Sequence, residues 1–283
     1  MTNNKQNSSD MKKVFLVLLG VFTMANVWAN QPELTGFWEA TIEGEVVNYS
    51  FVVNLPMGPW RGMGIFSIKD FNQETMKKSP LLITRDQGSM MLSGRFEGNK
   101  GFGHFSFTGD PSFAFYLKKI GIINVPEQWM LQMFMVGIDK GYFSFLKNRG
   151  FSNVSRDQLK ELAFAYVPSD YMKSVCGVGL KNMTLDKLIV LKKLKVDTIY
   201  ISNLSQLKFK PLTADLVIQL KYHNVDLNLF KDFRKLGFDI SVQDLIELKS
   251  FHITPEYVEK MRENGYISFL LSDYEKLKNE GKD

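Results

Sequence analysis

The sequence predicts an α+β protein: a small antiparallel sheet, barrel-like in strand count and curvature, followed by an α-helical repeat solenoid of about five two-helix units of ~29 residues each. Three observations predict it. Residues 33–109 alternate apolar and polar with period two and are broken by Gly, Asn and Asp. From Pro111 the apolar period becomes helical. Finally, Gly121, Gly150, Gly179, Lys208, Gly237 and Gly265 recur at intervals of 29, 29, 29, 29 and 28 residues. A fixed period of this size marks an array in which each repeat buries its apolar face only against its neighbours.

The segment ahead of the sheet reads as a secretory signal peptide, residues 1–29. Lys12 and Lys13 precede a twelve-residue apolar stretch, residues 14–25, and Val27-Trp28-Ala29 forms the cleavage pattern, with the cut expected after Ala29. Residues 1–10 are polar and read as an upstream extension, Met11 being the better initiator. Twelve apolar residues fall short of the about 20 that span a bilayer. Export as a periplasmic or secreted protein with no membrane span in the mature chain is the expectation. The one cysteine, Cys176, cannot form an internal bridge, so it reads as a small core residue and stability must come from packing.

Residues 30–110 form the predicted β domain. Residues 36–42 and 46–55 make a hairpin across Glu43-Gly44-Glu45, residues 60–68 and 81–85 are further strands, and residues 90–96 and 102–108 make a second hairpin. The array occupies residues 111–265. The piece from Pro111 to Gly121 matches Pro255 to Gly265 in length, proline, third-position aromatic and final glycine, so it is a half-repeat. Ser155, Thr184, Thr213 and Ser241 are the expected N-caps, with Gln158 and Asp244 placed to close capping boxes. Leu159 and Leu162, Leu188 and Leu191, Val217 and Leu220, and Leu245 and Leu248 form the buried stripe. Further columns read Ile138, Val167, Val196, Val225, Ile253 and Tyr142, Tyr171, Tyr200, Leu229, Tyr257. Each ladder glycine should end a helix in the left-handed conformation, where Lys208 costs about 1 kcal/mol. With Thr198-Ile199-Tyr200-Ile201 beside it, the third repeat is where distortion or local extension is expected. Residues 266–283 form a charged cap or tail.

Composition narrows the function. With 45% hydrophobic and 23% charged residues the chain is an ordinary globular one, and its net charge of +5 is too weak and dispersed for nucleic acid. His104, His223 and His252 are scattered, Asp157 with Glu161 and Glu256 with Glu259 read as surface charge, and no nucleophile–base pair or metal-ligand spacing emerges. The reading is non-enzymatic, with no cofactor and no metal. The densest basic run, Lys187, Lys192, Lys193 and Lys195, is either a solvated helix surface or a partner site. In Trp129-Met130-Leu131-Gln132-Met133-Phe134-Met135, Leu131 and Met135 fall outside the buried columns and suggest an adaptable apolar patch. The candidate partner surface is therefore Leu131, Met135, Lys192, Lys193, Lys195 and Lys208.

Together, Leu34-Thr35-Gly36-Phe37-Trp38, the Gly-rich hairpin from Ser93 to Phe107, Asp110-Pro111-Ser112-Phe113 and repeats near Ile253-Thr254-Pro255-Glu256-Tyr257 resemble a group of bacterial extracytoplasmic modules. These often occur as C-terminal extensions of BlaR1-like M56 peptidases and related anti-sigma-type sensors. The resemblance covers nearly all of the chain after the signal segment. It implies a sensory or interaction role at the envelope with a protein partner, and no catalysis, since the chain lacks an HExxH motif. The alternative is binding of a small apolar ligand or cell-wall fragment in the β domain. Gly36-Phe37-Trp38 resembles the first-strand signature of lipocalins, although the region is too short for their eight strands.

Overall fold

The computed structural model describes residues 33–55, 58–68, 80–207 and 211–282. Its strands are β1 (Leu34–Glu43), β2 (Val46–Leu55), β3 (Gly58–Ser67), β4 (Leu81–Arg85), β5 (Gly88–Glu97) and β6 (Lys100–Gly109). Its helices are α1 (Pro111–Lys119), α2 (Glu127–Val136), α3 (Lys140–Asn148), α4 (Arg156–Phe164), α5 (Ser169–Gly177), α6 (Leu185–Lys193), α7 (Thr198–Gln206), α8 (Ala214–Tyr222), α9 (Leu227–Lys235), α10 (Val242–Ser250), α11 (Pro255–Glu263) and α12 (Leu271–Asn279). The α+β class is thus the observed one. The chain forms two compact units, one ending at Phe145 and one starting at Leu146. The signal segment, residues 1–29, and Lys208 lie outside the described residues.

In the first unit the six strands run antiparallel in the order β3-β2-β1-β6-β5-β4. The sheet is open and does not close into a barrel, which corrects the barrel-like expectation. Closure would need β3 to pair with β4; instead one face is roofed by α2, which packs against β3, β5 and β6. That face carries Trp38, Phe51, Phe66, Met90, Phe105 and Phe107, all buried. A covered face removes the need for closure to shield the core. The approach of α2 depends on two glycines of β3: a Cβ at Gly62 would lie 2.6 Å from Met135 Cε, and one at Gly64 would lie 3.3 Å from Met135 Cβ.

The helices fall into two phased series. Leading helices α2, α4, α6, α8, α10 and α12 start at residues 127, 156, 185, 214, 242 and 271; trailing helices α1, α3, α5, α7, α9 and α11 start at 111, 140, 169, 198, 227 and 255. The expected tail therefore contains a helix, α12, that keeps the leading phase. In the second unit leading helices touch leading helices and α9 touches α11, so like stacks on like. The paired stripe from Leu159 to Leu248 is fully buried.

Local chemistry sets many of the helix ends. Ser155, Thr184, Thr213 and Ser241 accept from the amide three residues on, and Gln158 and Asp244 close capping boxes. The ladder glycines have φ of 73–91°. A second left-handed ladder follows the leading helices: Gly137, Tyr166, Lys195, Asn224 and His252, at intervals of 29, 29, 29 and 28. From Tyr166 onward each donates its N–H to the carbonyl three residues back, and the next residue donates to the carbonyl five back. These are Schellman ends, and the column Val167, Val196, Val225 and Ile253 is their buried apolar contact. The expected distortion at residues 198–201 is absent: they open α7, because Asp197 caps Tyr200 N–H at 2.7 Å and Ile201 is buried.

Candidate functional site

Where the leading helices of the second unit end, each repeat sets an exposed side chain beside its left-handed residue. Phe164, Lys193 and Tyr222 are the last helical residues of α4, α6 and α8, and Phe251 follows α10. Tyr166, Lys195, Asn224 and His252 stand next to them, and all but the half-buried Tyr166 are exposed. The large apolar side chains of this ridge are open to solvent, Tyr222 by 74% and Phe164 by 42%. The Tyr222 ring meets His223 edge-on, 5.4 Å between centroids. The ridge therefore carries an exposed aromatic side chain in three repeats and two exposed lysines, Lys193 and Lys195, in the other.

Behind the ridge the charges are already used. Lys192 lies over the Tyr171 ring at 4.7 Å, Lys221 over Tyr200 at 4.6 Å and Lys278 over Tyr257 at 4.6 Å. Lys249 has the same phase, but the tyrosine column reads Leu229 in that repeat, and Lys249 donates to the Asn224 carbonyl instead. Burial lowers the Lys192 ammonium from its ordinary range and raises the Tyr171 phenol, which Asp197 and Cys176 raise further. Tyr171 donates to the Val196 carbonyl at 2.9 Å and Tyr257 to that of Lys282 at 2.8 Å, each 25 residues on. Within the ridge itself Lys193 pairs with Glu161 of the preceding repeat, and behind it Lys187 pairs with Asp215 of the next at 2.6 Å. These contacts clamp neighbouring repeats.

The sequence-derived candidates are thus divided. Leu131 and Met135 are 0% and 1% exposed, which corrects the apolar-patch reading: α2 is buried on every side because the sheet lies beneath it. Lys192 is held by Tyr171. Lys193 and Lys195 are exposed and belong to the ridge. Phe164, Tyr222, Phe251 and His252 were not singled out as one site from the sequence. Their signal is the residue types two to four positions after the last leucine of the stripe, which become visible only once the second ladder is aligned. Cys176 is partly buried, and burial raises its thiol, as expected of a packing residue.

In the first unit, the sheet face turned away from α2 holds a second feature. An open depression of about 750 Å³ is lined by Phe37, Glu39, Arg95, Phe102 and His104, with the indole of Trp38 at its floor. Trp38 Nε1 donates to the carbonyls of Ser93 and His104 at 3.2 and 3.0 Å, across the cross-strand pair Gly94 and Gly103. The Phe37 and His104 rings are 4.6 Å apart, and Arg95 lies 5.1 Å from the Phe102 ring. No group of His, Cys, Asp and Glu able to hold a metal ion occurs among the described residues, and no helix there is long and apolar enough to cross a membrane. No protein-family model, curated protein or solved structure matches this chain.

Proposed function

We propose that the chain is an exported, non-enzymatic interaction or sensory module of the bacterial envelope that presents its helical-repeat surface to a protein partner. One observation carries the reading: Phe164, Lys193 and Tyr222 are exposed at the same helix-end position in successive repeats, and Phe251 is exposed one residue past that position in the next, while Lys192 and Lys221 behind them are committed to ring contacts. Aromatic side chains with adjacent cations are the groups that dominate binding energy when a partner desolvates them. A stacked array offers such groups on an extended surface without needing an enclosed cavity. The resemblance to peptidase-linked sensor modules supports the same role, and the charged, then apolar start of the sequence supports export.

The test uses the chain from residue 30 as bait in a solubilised envelope extract, beside the double variant Tyr222→Ala, Phe251→Ala. The expected result is one or more proteins held by the native bait and reduced at least about tenfold on the variant. Identical recovery on both baits, or nothing recovered on either, would sink the proposal. A second reading, a cell-wall fragment or small apolar ligand on the sheet, is favoured by the depression at Phe37 and Phe102. It predicts a ligand whose binding is lost in Phe102→Ala and untouched by the ridge variant.

A further inference from the structure

The outer face of the sheet departs from the polar surface that an antiparallel sheet turns to water. Phe37, Met63, Ile65, Leu82, Met91 and Phe102 all point away from α2 and are 42–68% exposed. Four of them form a continuous track. Leu82 pairs across strands with Met91, and a second depression of about 430 Å³ links Met91 to Phe37 through Ser106 and His104. Phe37 and Phe102 then share the walls of the first depression.

One ion pair near this track is closed within it. Arg95 is bonded to Glu97 at 2.8 Å and stacked on Phe102, so neither charge is left to oppose desolvation by a neutral surface. Thr35, Asn54, Ser93 and Ser106 beside it are uncharged groups that tolerate contact with a copy of themselves. Acidic Glu39 and basic Arg61 also face outward, so two such faces would not repel by net charge.

Size decides the occupant. Five strands of ten residues and one of five, about 4.8 Å apart at about 3.3 Å per residue, make a face of roughly 700 Å². That lies within the roughly 600–1,000 Å² that one partner contributes to a standard stable interface. A small ligand in an open depression would leave most of the track wet. We propose that the occupant is a second copy of this chain: two outer sheet faces pack against each other as an isologous dimer, Phe37, Met91 and Phe102 at its centre. The geometry is that of sheet-on-sheet packing, with about 10 Å between sheets and α2 on the outside of each.

The experiment is sedimentation equilibrium of the chain from residue 30 between about 1 and 100 μM, the range in which a standard-size interface of modest quality populates dimer. The native chain is expected to be dimeric. Met91→Glu with Phe102→Glu should weaken the dimer at least about 100-fold, with circular dichroism unchanged, because both side chains are outward and the core face is untouched. Phe37→Ser, a milder change at the same face, should weaken it about tenfold and guards against misfolding of the double variant. A native chain that stays monomeric at 100 μM overturns the proposal, as does a dimer that survives both variants. Monomer carrying a co-purified glycan or apolar ligand overturns it in favour of a ligand site.

Discussion

Removing one oxygen atom from each of two equivalent tyrosines should have opposite effects. Tyr171 and Tyr200 occupy the same column, each under a lysine of the next leading helix at 4.7 and 4.6 Å. They differ at the hydroxyl. Tyr171 donates to the Val196 carbonyl at 2.9 Å; the buried Tyr200 hydroxyl has no hydrogen-bond partner among the described residues. Phenylalanine keeps the ring and the cation above it in both cases. Tyr171→Phe loses a satisfied buried bond, a cost of about 1 kcal/mol. Tyr200→Phe removes a desolvated hydroxyl that gains nothing, so it should be neutral or stabilising by up to about 1 kcal/mol. The two variants should then differ by about 1–2 kcal/mol, or roughly 2–8 °C in midpoint for a chain of this size. Thermal melts followed by helical circular dichroism at one scan rate measure it. Equal midpoints for the two variants, or a greater loss at Tyr200, would refute the assignment of the hydroxyl as the clamp between repeats.

Other outcomes follow from the same contacts. Burial holds the Glu127 carboxyl above its ordinary 4.5, against the lowering effect of the Gly109 N–H that donates to it at 2.6 Å. Its favourable share of stability is whole below the unfolded value and lost as pH rises through the folded one, so Glu127→Gln should flatten stability between pH 4 and 7 and raise the melting midpoint at pH 7; an unchanged slope would count against it. Lys195 holds φ of 55°, and Lys195→Gly should stabilise by about 0.5–1 kcal/mol in urea titration. Arg262 donates to the carbonyls of Leu236 and Ser268 and to the Tyr274 hydroxyl at 3.0–3.2 Å. Arg262→Ala should therefore raise amide exchange in α12 at least about tenfold while α4 and α6 stay protected.

Much of the array was readable because its grammar is local. Caps, stripes and ladder glycines are each decided within a few residues, so a period in sequence became a period in space. The second ladder was hidden because Gly137, Tyr166, Lys195, Asn224 and His252 share a backbone conformation and no side-chain chemistry. Propensity also misled at Thr198-Ile199-Tyr200-Ile201, where the Asp197 cap and burial of Ile201 outweigh three β-branched residues. In the β domain all six strands were legible from alternation. Whether the sheet closed was not, since that depends on what α2 covers, and the glycines of β3 that admit Met135 carry no pattern announcing a helix above them. Leu131 and Met135 were misplaced for the same reason: the stripe of later repeats has one buried side, whereas α2 has none exposed.

The one short interval in the array has a definite address. Five residues separate Gly150 from the cap Ser155 and Gly179 from Thr184, but four separate Gly237 from Ser241. The missing residue falls between α9 and α10, and both flanking helices keep nine residues. A deletion inside a helix would turn everything beyond it by about 100° and swing the leucine stripe out of the core. In a connecting loop it changes only the path between two finished ends. For an inherited array, the connections between repeats are where single-residue length change is survivable, whereas the helices can be gained or lost only as whole repeats.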